Sequence, residues 1–282
     1  MSRTWVIIDS NYLAYRAFYS VGGLSYKNTP TGATFGYLGA LLQFQTIFPN
    51  SELTTAHCFD SKKSKRRRMA KRYKHNRRKA RKKLDPKTRE KLDQLYYQIN
   101  KLRRKYLFQI GYQNVFHQVG YEADDLIASA CKNLVKEDEA IIISSDKDMY
   151  QLITKQVKIY NPRLKEMMTL ERFKSVYGIH PSYWSDVKAL AGCNSDEIKG
   201  VPGIGEKTAV DFLLGKLDHT TKTKKIDSIM SREGKFIQDA NKRLVHLPLK
   251  GTKQCVLIPD KKLGGWNAVM KSLNIKTLRM EK

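Results

Sequence analysis

Acidic residues are scarce in this chain. Its 282 residues include 27 Asp and Glu against 53 Lys and Arg, for a formal net charge of +26. Cysteine is rarer still. The 4 cysteines, Cys58, Cys131, Cys193 and Cys255, lie far apart, with no CxxC pair and no histidine at zinc-site spacing. That excludes a disulfide framework or zinc finger and fits a reduced, cytoplasmic protein. Long apolar runs are missing as well. Nothing reaches the roughly 20 residues that a membrane helix needs, and the most apolar stretch, "YLGALLQFQTIF", carries two glutamines. The opening "MSRTWVIIDSN" makes a poor secretion signal, because its short apolar run ends at Asp9. There is no GxSxG, no Cys–His arrangement and no HExxH, so nothing indicates a covalent nucleophile.

What is present begins with a hydrophobic fraction of 41%, including 10% aromatics, enough to bury a core in one large domain or two modest ones. The excess charge calls for a polyanion, with nucleic acid favoured over anionic membrane or plain solubility. It is also unevenly spread. From Lys62 to Lys83 the chain reads "KKSKRRRMAKRYKHNRRKARKK", in which 15 of 22 residues are basic and none is acidic. The stretch is internal and runs into "TREKLDQLYYQINKLRRKYLFQI". There Leu92, Leu95, Tyr96, Ile99, Leu102, Tyr106 and Leu107 recur at helical spacing.

The first half alternates. "WVIID" (5–9), "TTAHCFD" (54–60), "QNVFHQ" (113–118) and "AIIISSD" (140–146) read as strands. Helical patterns lie between them, including 32–48 and 122–136. Such alternation predicts an α/β fold with a mostly parallel sheet. After about residue 165 the pattern changes to short helices, with further helical segments over 221–249 and near the C-terminus. No repeat or low-complexity linker separates the halves.

Three predicted strands end in an acid: Asp9, Asp60 and Asp146. Ligands of open α/β sheets bind beyond the carboxyl ends of strands. Asp148 follows Asp146, and "YEADDLIASA" sets Glu122, Asp124 and Asp125 in a helical first turn, where the dipole favours negative charge. Like charges held close resist joint ionisation. The sequence therefore predicts that these acids meet around a hard divalent cation, Mg²⁺ or Mn²⁺. Metal beside a polycation points to phosphodiester chemistry.

"GVPGIGEKTA" joins two helical patterns in the second half. Gly200, Gly203 and Gly205 permit close approach or positive φ. The helix starting near Glu206 offers free N–H groups, and Lys207 adds charge. The pattern reads as a helix-hairpin-helix that grips DNA backbone without reading sequence.

Taken in order, "IIDSNYLAYRAF", "TPTGATFGYLGALL", "CFDS…RYKHNR", "VGYEADDLIA", "ISSDKDMYQL" and "LAGCNSDEIKGVPGIGEKTA" resemble the flap endonuclease and 5′→3′ exonuclease superfamily. That superfamily includes the nuclease domain of bacterial DNA polymerase I and related bacteriophage nucleases. The resemblance covers roughly residues 5 to 215. It implies a PIN-like nuclease domain over 1–165, with a basic helical arch over 62–107. A helix-hairpin-helix domain with C-terminal helices would follow over 166–282. It further implies that Asp9, Asp60, Glu122, Asp124, Asp125, Asp146, Asp148 and Asp196 serve two Mg²⁺ or Mn²⁺ sites, and that K⁺ binds at the hairpin. Lys74 corresponds to a lysine on the scissile phosphate and Arg66 to a supporting arginine. Tyr12, Tyr15, Arg67, Arg77 and Lys188, with the hairpin residues, would contact DNA.

One position departs from the family pattern. Where Gly-Asp-x-x-Asp is common, this chain has Gly192-Cys193-Asn194-Ser195-Asp196-Glu197. A neutral thiol is a poor Mg²⁺ ligand, so the second site is expected to be weakened, with Asp196 or Glu197 compensating through water. The expected protein is a monomeric, metal-dependent 5′→3′ exonuclease or flap endonuclease. It would act on DNA with free 5′ ends, flaps or RNA primers, alongside replication proteins and away from membranes. The rival reading is a catalytically weak nucleic-acid-binding protein on the same fold.

Overall fold

Short apolar runs rich in Ile and Val become the central strands of a parallel sheet, as their composition predicts. The computed structural model describes residues 3–21, 23–49, 53–218, 220, 222–260 and 262–280. The chain divides into two compact units. The first comprises Met1–Lys62, Leu84–Ser144 and Thr252–Lys282; the second comprises Lys63–Lys83 and Ser145–Gly251.

In the first unit, β1 (Thr4–Asp9), β2 (Leu53–Phe59), β3 (Val115–His117) and β4 (Glu139–Ile143) run parallel in the order β3-β2-β1-β4. Val6, Ile7, Ile8, Ala56, Cys58, Phe59, Ile142 and Ile143 are fully buried. Strands covered on both faces need such continuous apolar character, and each large side chain so buried contributes roughly 1.5–3 kcal/mol. His57 lies among them. Its ring nitrogens contact the Tyr37 hydroxyl at 2.7 Å and Thr55 Oγ1 at 3.0 Å. Burial pushes its pKa down to about 3. The Ser10–Val21 helix packs on the Gly32–Ile47 helix.

The helix expected after the basic stretch begins at Pro86. Asp85 caps it by accepting from Thr88 N at 3.0 Å, and Pro86 takes the first turn, where its missing N–H costs nothing. It runs to Lys101, widens into a π-helical turn over Leu102–Tyr106, and resumes over Leu107–Ile110.

The second unit opens with two short basic helices, Lys65–Met69 and His75–Lys82. An antiparallel hairpin follows, β5 (Val157–Asn161) with β6 (Glu166–Met168). The remaining helices include Leu170–Tyr177, Trp184–Ala191, Glu206–Leu213, Thr223–Met230 and Arg232–Val245. Tyr150, Phe173, Tyr177 and Trp184 form an aromatic cluster at centroid spacings of 4.7–5.9 Å. Asn241 Nδ2 donates to the carbonyls of Ala189 and Lys199 at 2.9 and 2.8 Å, tying the Arg232–Val245 helix to the Trp184–Ala191 helix.

The units cut the chain at other points than the boundary read at residue 165, and contacts between residues far apart in the chain give the reason. Within the second unit, Arg66 Nε donates to Leu244 O at 2.7 Å. Tyr73 packs with Ala189, Cys193, Ile198, Leu244 and Val245. The basic residues 63–83 therefore belong there, whereas the helix from Pro86 belongs to the first unit. Residues after 251 return to the first unit through Asp260. Its Oδ2 accepts from Thr55 N at 3.0 Å and its Oδ1 from Gln113 N at 3.1 Å. Among the described residues, no helix is long and apolar enough to cross a membrane.

Candidate metal centres and nucleic-acid interface

The first unit gathers acids at the carboxyl edge of its sheet. Asp9 closes β1, and its Oδ1 accepts from Tyr12 N at 3.0 Å. Asp60 follows the end of β2. Its N–H donates to Asn11 Oδ1 at 3.0 Å, and its Oδ1 accepts from Ala123 N at 2.7 Å. The second contact fixes the end of β2 against the start of the Ala123–Lys132 helix. Glu122 caps that helix in a reciprocal capping box: it accepts from Asp125 N while Asp125 Oδ2 accepts from Glu122 N at 3.1 Å. Asp125 is fully buried and Glu122 nearly so, whereas Asp124 is half-buried and Asp60 exposed. Three separated stretches thus bring Asp9, Asp60 and the Glu122–Asp125 turn to one edge. Of the acids there, Asp125 is the one most committed to holding the fold.

The second unit carries the other acids. Asp146 caps a 3-10 turn by accepting from Asp148 N at 2.8 Å. One ligand atom each from Asp148, Cys193 and Asp196 lie within 4.8 Å of one another. The thiol of Cys193 contacts Ser195 Oγ at 3.0 Å and reaches Asp148 Oδ2 at 3.9 Å. Burial, then the Asp148 carboxylate, raises its pKa, so it is a neutral thiol. Burial raises Asp148 to about 6, with Asp146 adding to the effect and Lys188 opposing it.

Basic side chains meet both carboxylates. Lys188 Nζ stands 3.2 Å from Asp148 and 2.8 Å from Glu206. Burial alone would lower its pKa, but these two acids outweigh burial and raise it. Asp196 lies 3.5 Å from Lys74 Nζ and 3.2 Å from Arg77 Nη2. The donor chemistry therefore differs between the groups. Asp9, Asp60 and Asp124 offer hard oxygens, which fit Mg²⁺ or Mn²⁺. The second group offers two carboxylates that already face cations, plus a soft neutral sulfur, and fits a hard ion less well.

The basic residues split in role. Lys74 is partly exposed and carries its ammonium 4.8 Å from the Tyr73 ring centroid. Arg66, expected at a phosphate, is instead an anchor. It is 3% exposed and bonds the Leu244 carbonyl. Arg67 is half-buried and Arg77 exposed. In the first unit, Tyr15 donates to the Tyr96 hydroxyl at 2.6 Å and meets that ring edge-on. The Tyr12 hydroxyl is buried.

The Gly200–Gly205 segment lies between the Trp184–Ala191 and Glu206–Leu213 helices. Gly200 must be glycine, because a Cβ would stand 2.3 Å from the Ala191 carbonyl carbon. Gly203 has φ +75°. Gly205 needs neither concession: open space surrounds it and its φ is −100°. Sequence reasoning missed Tyr73, Glu206, Ser195 and Asn11. Each is adjacent or nearly adjacent to a residue it singled out, but only the folded contacts mark it.

A parallel α/β sheet with acids beyond its strand ends, joined to a strongly basic helical unit, defines the class: an α/β protein suited to ion-assisted work on a polyanion. Comparison with known proteins narrows it. The family described as the 5′-3′ exonuclease, N-terminal resolvase-like domain, matches residues 4–178. A 5′-3′ exonuclease of Buchnera aphidicola subsp. Schizaphis graminum is 34% identical over 236 residues, covering 82% of this chain and 77% of its own. DNA polymerase I of Bacillus subtilis is 34% identical over 244 residues, a match spanning 25% of that longer protein. Among solved structures, the D15 protein of bacteriophage T5 co-crystallised with metal ions has a TM-score of 0.70 at 20% identity. The match covers 87% of this chain and 90% of that one. Human GEN1 in complex with Holliday junction DNA has a TM-score of 0.58 at 14% identity, covering 97% and 68%. These distant structures share the fold. The chain belongs to the 5′-3′ exonuclease family.

Proposed function

We propose that this chain is a divalent-metal-dependent 5′→3′ exonuclease and flap endonuclease. It hydrolyses phosphodiesters near 5′ ends of duplex, flapped or RNA-primed DNA and leaves a 5′-phosphate. One observation carries the reading. Asp60 Oδ1 accepts from Ala123 N at 2.7 Å, which places the acid after β2 beside the Glu122–Asp125 turn. In a chain of net charge +26, acids concentrated in this way suit a cation. Family membership supports the same activity.

Asp9, Asp60, Glu122 and Asp124 would hold one ion, with Asp125 keeping the turn in place. Asp148 and Asp196, with Asp146 nearby, would hold a second, weaker one, since Cys193 brings a neutral thiol where the family has an acid. Bound Mg²⁺ or Mn²⁺ supplies charge neutralisation on the phosphate and an activated water. Lys74 offers its ammonium to the reacting phosphate, where a fixed cation stabilises developing charge. Arg67, Arg77 and Lys207 attract backbone phosphates, the Gly200–Gly205 turn approaches the strand closely, and Tyr12 and Tyr15 face bases at the 5′ end; Lys188, expected among the phosphate contacts, is buried and paired with Asp148 and Glu206. K⁺ at that turn, replication proteins as partners and a monomeric, cytoplasmic protein complete the reading. The four free cysteines suit a reducing compartment.

The test is cleavage of a labelled 5′ flap, a nicked duplex and an RNA–DNA hybrid, each with Mg²⁺, Mn²⁺ or EDTA. Cleavage near the 5′ end with either metal and none in EDTA is expected. Intact substrate in every condition leaves the rival reading, a nucleic-acid-binding protein. Cleavage in EDTA removes the metal.

A further inference from the structure

The turn that carries Asp196 is also the dock of the basic segment. Lys74 N donates to Asp196 O at 3.0 Å, and the Tyr73 hydroxyl donates to Asp196 Oδ2 at 3.1 Å. Lys74 Nζ and Arg77 Nη2 then approach Oδ2 and Oδ1 at 3.5 and 3.2 Å. The next residue joins in, because Asn76 N donates to Glu197 Oε1. Both oxygens of one carboxylate are thereby engaged by the basic segment, and the Asp196 side chain is only 14% exposed.

The backbone on each side of this contact is unusual. Lys74 has φ 52° and Glu197 has φ 59°. The left-handed region costs a residue with a Cβ roughly 1–2 kcal/mol, and such conformations persist where surrounding contacts over-determine them. Here they lie at the two sides of one contact. The same Asp196 belongs to the Asp148–Cys193–Asp196 group, whose ligand atoms lie within 4.8 Å of one another. Cys193 adds no negative charge to that group, and Asp148 faces Lys188 at 3.2 Å. An arriving ion must therefore draw on a carboxylate whose two oxygens are already shared.

We propose that Asp196 is a positioning residue for the basic segment, holding Lys74 and Arg77, and that a divalent cation competes with those two side chains for its carboxylate. The positioning half stands on geometry alone. The competition half rests on the nuclease reading only for the identity of the ion. Linkage makes the effect reciprocal: an ion on Asp196 loosens the basic segment, and a docked segment weakens the ion. Lys74 and Arg77 then become available to a phosphate once the ion is loaded.

Hydrogen exchange on the full chain, with Mn²⁺ affinity measured by calorimetry on the same samples, tests this. In EDTA the Lys74 and Asn76 amides should be protected, and saturating Mn²⁺ should lower that protection about tenfold, within the range usual for coupled sites. Asp196→Asn should leave those amides unprotected and indifferent to Mn²⁺. Cys193→Asp should move the loss of protection to lower Mn²⁺. Should Asp196→Asn fail to fold, the Lys74→Ala/Arg77→Ala double variant reads the same linkage from the other side and should bind Mn²⁺ several-fold more tightly. Unchanged protection of the wild type under Mn²⁺, or unchanged Mn²⁺ affinity of the double variant, overturns the competition. Wild-type-like protection in a folded Asp196→Asn overturns the positioning role. Because exchange needs no turnover, a failed cleavage assay and a failed exchange result are separate outcomes.

Discussion

Lys188 Nζ stands 3.2 Å from Asp148 Oδ1, and the lysine is 6% exposed. Breaking a buried pair by removing one partner leaves an uncompensated charge, which typically costs a few kcal/mol. Lys188→Met should therefore destabilise the protein by about 3 kcal/mol in EDTA. Adding Asp148→Asn to it should recover part of that loss. Urea denaturation of the two variants measures both. Equal stability of Lys188→Met and wild type would show that the pair is dispensable.

The Asp260 carboxylate accepts from Thr54 Oγ1, Thr55 N, Thr55 Oγ1 and Gln113 N at 3.0–3.2 Å. Asp260→Ala leaves these donors without their acceptor, at a cost of about 2–3 kcal/mol. Thermal unfolding should show the loss, and limited proteolysis should cut sooner within residues 252–260. A variant with unchanged melting and digestion would mean the segment is held by other contacts.

His57 supplies a pH dependence. Its folded pKa, pushed down to about 3 by burial, lies below its ordinary value of 6.5. As the pH falls through 6.5, the unfolded chain takes up a proton that the folded ring refuses. The stability present above that pH is then lost toward pH 3, at up to about 1.4 kcal/mol per pH unit. His57→Gln should be less stable at pH 7 but show a shallower decline between pH 6.5 and 4. Parallel stability curves for the two proteins would clear His57 of this role.

Cys193→Asp restores a third carboxylate to the Asp148–Asp196 group. The Mg²⁺ concentration for half-maximal cleavage should fall, by about tenfold if the added charge contributes near 1.4 kcal/mol to ion binding. An unchanged metal dependence would show that the thiol does not limit the second ion.

Binding to duplex DNA without metal should weaken steeply with salt. If the basic segment meets about five phosphates, the log–log slope should lie near −4 to −5. A flat response would exclude the segment from the binding surface.

The parallel strands, the helix read over 122–136 and the helix after the basic stretch were legible because each depends on local pattern: buried β-branched runs and apolar residues at helical spacing. Asp9 and Asp60 at strand ends were legible for the same reason, whereas β4 stops at Ile143 and Asp146 lies beyond it, capping a 3-10 turn. The reciprocal cap at Glu122 and the stop at Lys132 came only with the structure. The unit boundaries were not legible. They follow contacts such as Arg66 with Leu244, 178 residues apart, and composition says nothing about such pairs. The same limit hid the choice of partner for each charge. Lys74 and Arg66 look alike in a run of basic residues, yet one meets a carboxylate near the surface and the other a buried carbonyl. The departure at Cys193 was visible, while the cations crowding Asp148 and Asp196 were not.

The return of Thr252–Lys282 to the first unit has a consequence for biosynthesis. Every residue of the second unit leaves the ribosome before Thr252 does. The helical portion can therefore finish folding first, while the sheet, though its strands emerge earlier, still lacks its last supporting contacts at Asp260.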